Sequence, residues 1–384
     1  MISVIKKSPV VIHQLFFLLA QLMILQMNGI GYSGTLAYVG AVSTFLAVLI
    51  NLRWDIEIMV NNHHALHESL FDSSATIILM TFIILFFNTI IGSPLPVYII
   101  LSAIIIAIHE LLVSILFVQK KIYTYSFFRT IPAIALILFA LVNLEAEIIW
   151  PASFFISVLF LSIYYRTLFR KAISGMNISR IKKIKFLHKF NAAITATTFS
   201  FFSACFVIVI NFYYGSDYVG LWSNTIRIFN SLLIFLLGAS LPFVLNIIRD
   251  KETNSEKVKM FFYLWISFCP LIVLSFFAVS NWGQYILSFF MTYDFEVSNA
   301  YLSYIVLISV AISFVGSSQA LYQGINKSIF LLGMIFISAI IGFIYIFNDL
   351  FSFVSLLEAF LMSIFVLVMM VLAHLLFILV FKNE

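Results

Sequence analysis

The feature that most constrains this chain is a succession of twelve apolar runs, most about twenty residues long. That is enough to cross a hydrocarbon core of about 30 Å as an α-helix. The runs cover Val10–Gln26, Leu36–Met59, Ala75–Ile91, Pro96–Val118, Phe127–Val142, Ile148–Leu168, Ala192–Tyr213, Val219–Ile248, Phe261–Val279, Ala300–Leu321, Ile329–Phe347 and Phe351–Phe381. Trp282–Met291 is too short to span and is expected to prolong the ninth helix. The pattern predicts an all-α polytopic membrane protein of about twelve transmembrane helices.

Composition excludes the soluble alternative. Of 384 residues 63% are apolar and 10% charged, against about 45–50% and about 25% in soluble domains. The net charge of +5 does not point to nucleic acid, because the basic residues gather in alternate connectors. Lys6 and Lys7, Arg53, Lys120 and Lys121, Arg166–Lys189, Arg249–Lys259, Lys327 and Lys382 mark one side. The other connectors, Asn28–Thr35, Gly92–Leu95, Asn143–Glu147, Tyr214–Tyr218, Ser280–Asn299 and Asn348–Leu350, contain no Lys or Arg. By the positive-inside rule both termini are expected in the cytoplasm. The first run lacks a small-residue cleavage site and reads as an uncleaved helix.

The basic stretch near the middle suggests two six-helix lobes, residues 1–168 and 191–384, joined by a basic cytoplasmic linker at 169–190. Tyr38-Val39-Gly40 with Ser43 opens the second run, and Tyr218-Val219-Gly220 with Ser223 opens the eighth. The same short pattern thus recurs six helices later, as expected of an internal repeat.

Polar side chains within the runs are the candidate functional residues. Gln14 and Gln21 fall in line with Asn28 on the first helix, and Asn191, Thr195 and Thr198 share a face of the seventh. Ser223, Asn224, Arg227, Asn230 and Ser231 crowd the eighth. Such stripes wall a wet cavity or join helices by hydrogen bonds. Arg227, about 12 Å deep at 1.5 Å per residue, costs free energy inside a bilayer unless a partner, water or ligand meets it. Its planar fork suits phosphate or carboxylate. Arg227, Asn224 and Gln21 are therefore the candidate substrate-binding residues. Glu110, Glu358 and Asp55 are the candidates for ion coupling. Glu110 and Arg129, at similar depth on neighbouring runs, have a second reading as a structural ion pair.

Neither Cys205 nor Cys269 has motif spacing, and His63, His64 and His67 with Glu68 read as a solvated interfacial segment, so no metal site is expected. No cofactor is implied. The sequence has no Gly-rich phosphate loop, no G-x-S-x-G elbow and no large soluble domain, so neither an ATP-driven pump nor an enzyme is expected.

Three stretches carry a family resemblance. Ile50-Asn51-Leu52-Arg53-Trp54-Asp55-Ile56-Glu57-Ile58-Met59-Val60, Tyr214-Gly215 to Val219-Gly220-Leu221-Trp222, and Ser317-Ser318-Gln319 to Gln323-Gly324-Ile325-Asn326-Lys327 resemble bacterial polysaccharide flippases of the O-antigen type. That family shares a superfamily with the multidrug and toxic-compound extrusion transporters. Asn61-Asn62-His63-His64 stands where relatives often carry an acidic stretch. The resemblance implies a bacterial inner-membrane protein that moves polyprenyl-diphosphate-linked oligosaccharide between leaflets by alternating access, with Arg53 joining Arg227 as a substrate-binding residue of a basic cavity wall. Membrane lipids, a polysaccharide polymerase and a chain-length regulator are the partners it implies. A multidrug exporter of the same superfamily is the first alternative, and a polymerase-type membrane enzyme the second.

Overall fold

The computed structural model describes residues 9–52, 54, 58, 66–91, 95–119, 121–166, 186–232, 244, 247–248, 250–290, 299–325, 327–348 and 353–381. Among these residues there are twelve α-helices and no strand. They are α1 (Pro9–Asn28), α2 (Ile30–Asn51), α3 (Leu66–Ile90), α4 (Val97–Val118), α5 (Ile122–Leu141) and α6 (Ala146–Tyr164). The second six are α7 (Phe186–Tyr214), α8 (Ser216–Leu232), α9 (Asn254–Phe290), α10 (Asn299–Gly324), α11 (Ser328–Asn348) and α12 (Phe353–Phe381).

Eight of them, α2 to α6, α9, α10 and α12, contain stretches long and apolar enough to cross a membrane, and α1, α7 and α11 contain shorter ones. The outward faces fit that solvent. Phe82 on α3 is 68% exposed and Phe212 on α7 is 80% exposed, within faces of large apolar side chains that water would not tolerate. The molecule is an all-α polytopic membrane protein.

The helix boundaries differ from the sequence expectation where glycine was read as loop. The connector expected over Asn28–Thr35 is a single residue, Gly29, with φ +85°. Gly215, also at φ +85°, separates α7 from α8 in the same way. Only glycine adopts that left-handed conformation without strain. The break takes one residue, so Gly31 and Gly34 lie within α2. The expected prolongation of the ninth helix by Trp282–Met291 is found, since α9 continues to Phe290 and reaches 37 residues, about 55 Å at 1.5 Å per residue.

The chain forms two compact units: Met1–Asn28 with Tyr32–Ile208, and Gly29–Gly31 with Val209–Glu384. The first therefore runs through α7 as far as Ile208. Residues 169–185 of the expected linker lie outside the described residues, and 186–190 form the first turns of α7. Phe201 on α7 packs on Phe45 of α2 with ring centroids 5.3 Å apart.

In the first unit α4 is central, touching α3, α5 and α6, while α5 also packs on α6 and on α1. Fully buried Ile99, Ala103, Val113 and Leu116 mark its inward faces. Polar ties fix the ends of the helices. The Tyr32 hydroxyl donates to the Leu144 carbonyl at 2.5 Å, and the Trp54 indole N–H donates to Thr76 Oγ1 at 3.1 Å. In the second unit α10 is central in the same way, touching α9, α11 and α12, with α11 also on α12. The helix pairs 3–4, 4–5, 4–6 and 5–6 thus recur as 9–10, 10–11, 10–12 and 11–12. Ser338 and Ser363 join α11 to α12 by reciprocal bonds, each hydroxyl donating to the other's carbonyl at 2.7 and 2.6 Å.

The repeated Tyr-Val-Gly pattern has a packing reason in each unit. A Cβ on Gly40 would lie 3.0 Å from the Trp150 ring. One on Gly220, in the second unit, would lie 2.3 Å from the Ile30 carbonyl oxygen. Both glycines permit a close approach that any side chain would block.

Candidate functional site

The first unit holds a partly buried charged cluster, and one proline explains much of its geometry. Pro132 lies inside α5 and has no N–H to give to the carbonyl four residues earlier. That carbonyl belongs to Phe128. It is taken up instead by Ser157 of α6, whose hydroxyl donates to it at 2.9 Å, and by His109 Nε2 of α4 at 3.5 Å. The break in the α5 ladder thus provides an acceptor that draws α4 and α6 together.

His109 in turn stands beside Glu110. Its Nδ1 is 3.6 Å from Glu110 Oε1, and Glu110 Oε2 accepts from Arg129 Nη2. Glu110 lies eight residues before the end of α4 and Arg129 seven after the start of α5, so the short turn between them sets both at one depth. The Arg129 guanidinium also lies over the Tyr125 ring, 5.2 Å from its centroid. His13 of α1, itself buried, is within electrostatic reach of Glu110. An aromatic wall closes one side: the Phe154 ring lies 5.3 Å from His109, 5.4 Å from Trp150 and 6.2 Å from Phe17. In this arrangement Glu110 is neutralised by Arg129, so the carboxylate can take another cation or a proton only as that pair parts.

The second unit carries a different centre. On α8, Ser223, Asn224 and Thr225 are all buried. The Asn224 amide donates to the Gly220 carbonyl at 2.8 Å, and the Thr225 hydroxyl donates to Leu221 at 2.6 Å. Arg227 follows Asn224 by three residues and shares its face. Its Nη1 is buried and has no hydrogen-bond partner among the described residues. Glu358 on α12 is half-buried and pairs with no cation among the described residues. Gln21 is buried on α1 in the first unit.

Arg53 and Asp55, together with His63 and His64, lie outside the described residues, as does the side chain of His67. No group of three or more His, Cys, Asp or Glu fit to hold a metal occurs among the described residues. The sequence reading passed over His13, Ser157 and the Phe128 carbonyl. An ionisable residue within an apolar run was signal enough for His13. The role of Ser157 became visible only once Pro132 was placed four residues after Phe128.

No family model matches the chain, and no curated protein sequence matches it. Solved structures do. The chain is similar to the MATE multidrug transporter DinF-BH, with a TM-score of 0.65 at 14% identity over 96% of this chain and 94% of that one. It is also similar to an inward-facing multidrug resistance MATE family transporter of the MOP superfamily, with a TM-score of 0.62 at 13% identity over 95% and 93%. A third likeness is to the eukaryotic MATE transporter AtDTX14, with a TM-score of 0.59 at 14% identity over 100% and 96%. At these identities the likeness is one of fold, and it takes in nearly the whole of each chain.

Proposed function

We propose that the chain is a secondary transporter of the bacterial inner membrane that exports organic solutes by alternating access. The observation that carries this reading is the fold, twelve helices among the described residues, matched over nearly its whole length with two transporters named for multidrug resistance or multidrug transport. Cation coupling is assigned to Glu110, with Glu358 as the second carboxylate. Release of Arg129 from Glu110 is the step that would open the first site. The test is the whole chain reconstituted in liposomes, with efflux of a fluorescent cationic dye followed under an imposed proton or sodium gradient. Gradient-driven efflux that is lost in Glu110→Gln supports the reading. Absence of gradient-driven dye movement in folded protein overturns it.

A second reading, translocation of polyprenyl-diphosphate-linked oligosaccharide, is favoured by Arg227. A buried guanidinium with no hydrogen bond at Nη1 among the described residues is suited to an anionic cargo and repels a cationic one. The same liposomes, loaded with a labelled lipid-linked oligosaccharide, separate the two. Leaflet exchange abolished by Arg227→Ala favours the flippase, and dye efflux untouched by that change favours the exporter.

A further inference from the structure

A single histidine, His374, marks a further site near the C-terminal end of α12, outside both sites above. His374 is tied to Tyr322 of α10, hydroxyl to Nδ1, at 2.8 Å. Its ring stacks against Tyr322, with centroids 5.5 Å apart, and against Phe330 of α11 at 5.0 Å. One imidazole thus joins three helices of the second unit at the end that bears the lysines. Tyr322 is fully buried and closes the end of its own helix, its carbonyl accepting from the Lys327 N–H at 2.8 Å.

Charges around the ring are cationic. The α10–α11 turn brings Lys327, with Nζ 5.4 Å from the Phe330 centroid. From α9 comes Lys257, whose Nζ donates to the Gly324 carbonyl at 3.4 Å. No carboxylate pairs with His374 among the described residues.

The hydrogen bond has a preferred direction. A buried hydroxyl that only accepts leaves its own proton without a partner, at a cost of about 1–3 kcal/mol. The Tyr322 O–H therefore donates, and Nδ1 must be unprotonated to accept. Histidine is the side chain whose charge ordinarily changes between about pH 5 and 8. A proton on Nδ1 converts the acceptor to a donor and adds positive charge beside Lys327.

We propose that His374 is a proton-sensitive clasp between α10 and α12. When neutral it holds Tyr322. When protonated it can only donate to Tyr322, whose own buried proton is then left without a partner, and the lysine-bearing end of the second unit loosens. The device is independent of the cargo and of Glu110.

The test is hydrogen–deuterium exchange of the whole chain in lipid nanodiscs at pH 8 and pH 5.5, corrected for intrinsic exchange. The segments followed are 318–327 and 370–378. A buried hydroxyl proton left without a partner predicts exchange about fivefold faster at pH 5.5 in both. Tyr322→Phe, which removes only the hydroxyl, should exchange at the fast rate at both pH values. His374→Asn keeps an acceptor near the Nδ1 position without titrating, and should stay slow at both. No step in the parent protein, or a step that persists in either variant, overturns the proposal.

Discussion

Breaking the Glu110–Arg129 pair tests whether its two charges stabilise the fold or serve only each other. Arg129→Met removes the partner of Glu110 and leaves a carboxylate in a low-dielectric setting. Loss of one member of a buried pair costs about 3–5 kcal/mol. Here 27% of the Glu110 and 23% of the Arg129 side chain stay exposed, which places the cost near the lower end, about 3 kcal/mol. Glu110→Gln leaves the guanidinium over the Tyr125 ring, a contact worth about 0.5–1 kcal/mol, so it should cost less, about 2 kcal/mol. The double variant, neutral at both positions, should be more stable than Arg129→Met alone. The assay is reversible denaturation of the four proteins in the same lipid–detergent mixture, read by tryptophan fluorescence. The reasoning is refuted if the two losses add, because additivity means that the side chains do not sense each other. The double variant also separates stability from transport. A folded protein that no longer couples to a gradient assigns Glu110 a role beyond packing.

Three further outcomes follow from the same geometry. Ser157→Ala should cost about 1 kcal/mol in the parent protein but almost nothing in Pro132→Ala, where residue 132 regains an N–H for the Phe128 carbonyl. Equal costs in the two backgrounds, measured by denaturation, would show that the proline does not free that acceptor. Gly220→Ala should cost more than Gly40→Ala, within the range of about 1–3 kcal/mol for overpacking, because a backbone carbonyl cannot yield as the Trp150 ring can. Thermal denaturation that ranked them the other way would contradict the two contacts. Ser363→Ala should lower stability by about 1–2 kcal/mol, since it removes one donor of the reciprocal α11–α12 pair, and Ser338→Ala should match it.

Much of this architecture is readable from hydropathy because lipid imposes a simple rule, that each crossing be a continuous apolar helix. The pairing of Glu110 with Arg129 is open to the same reading, since the residue count from the turn fixes their depth. What escapes is set by contacts between helices. Gly29 and Gly31 look alike in sequence, yet one breaks a helix and the other lies within one. The deciding factor is a φ angle at Gly29. Ser157 looks like any small helix residue until the proline gap on α5 gives it an acceptor. The Tyr322–His374 bond joins residues 52 positions apart, a pairing that no local pattern encodes.

The nearly equal distance of Glu110 and Arg129 from the α4–α5 turn also bears on biogenesis. A charge carried alone to the centre of an inserting helix costs about 2.5–3.5 kcal/mol. α4 is apolar enough to bear that cost, with a mean hydropathy of 2.6 over its candidate span, whereas α5, at 1.6, has less to spare. If the two leave the translocon as a hairpin, the charges neutralise each other before either meets lipid. Lengthening the turn by half a helical period would part the charges and should strand α5 at the membrane surface during synthesis, with α4 already in place.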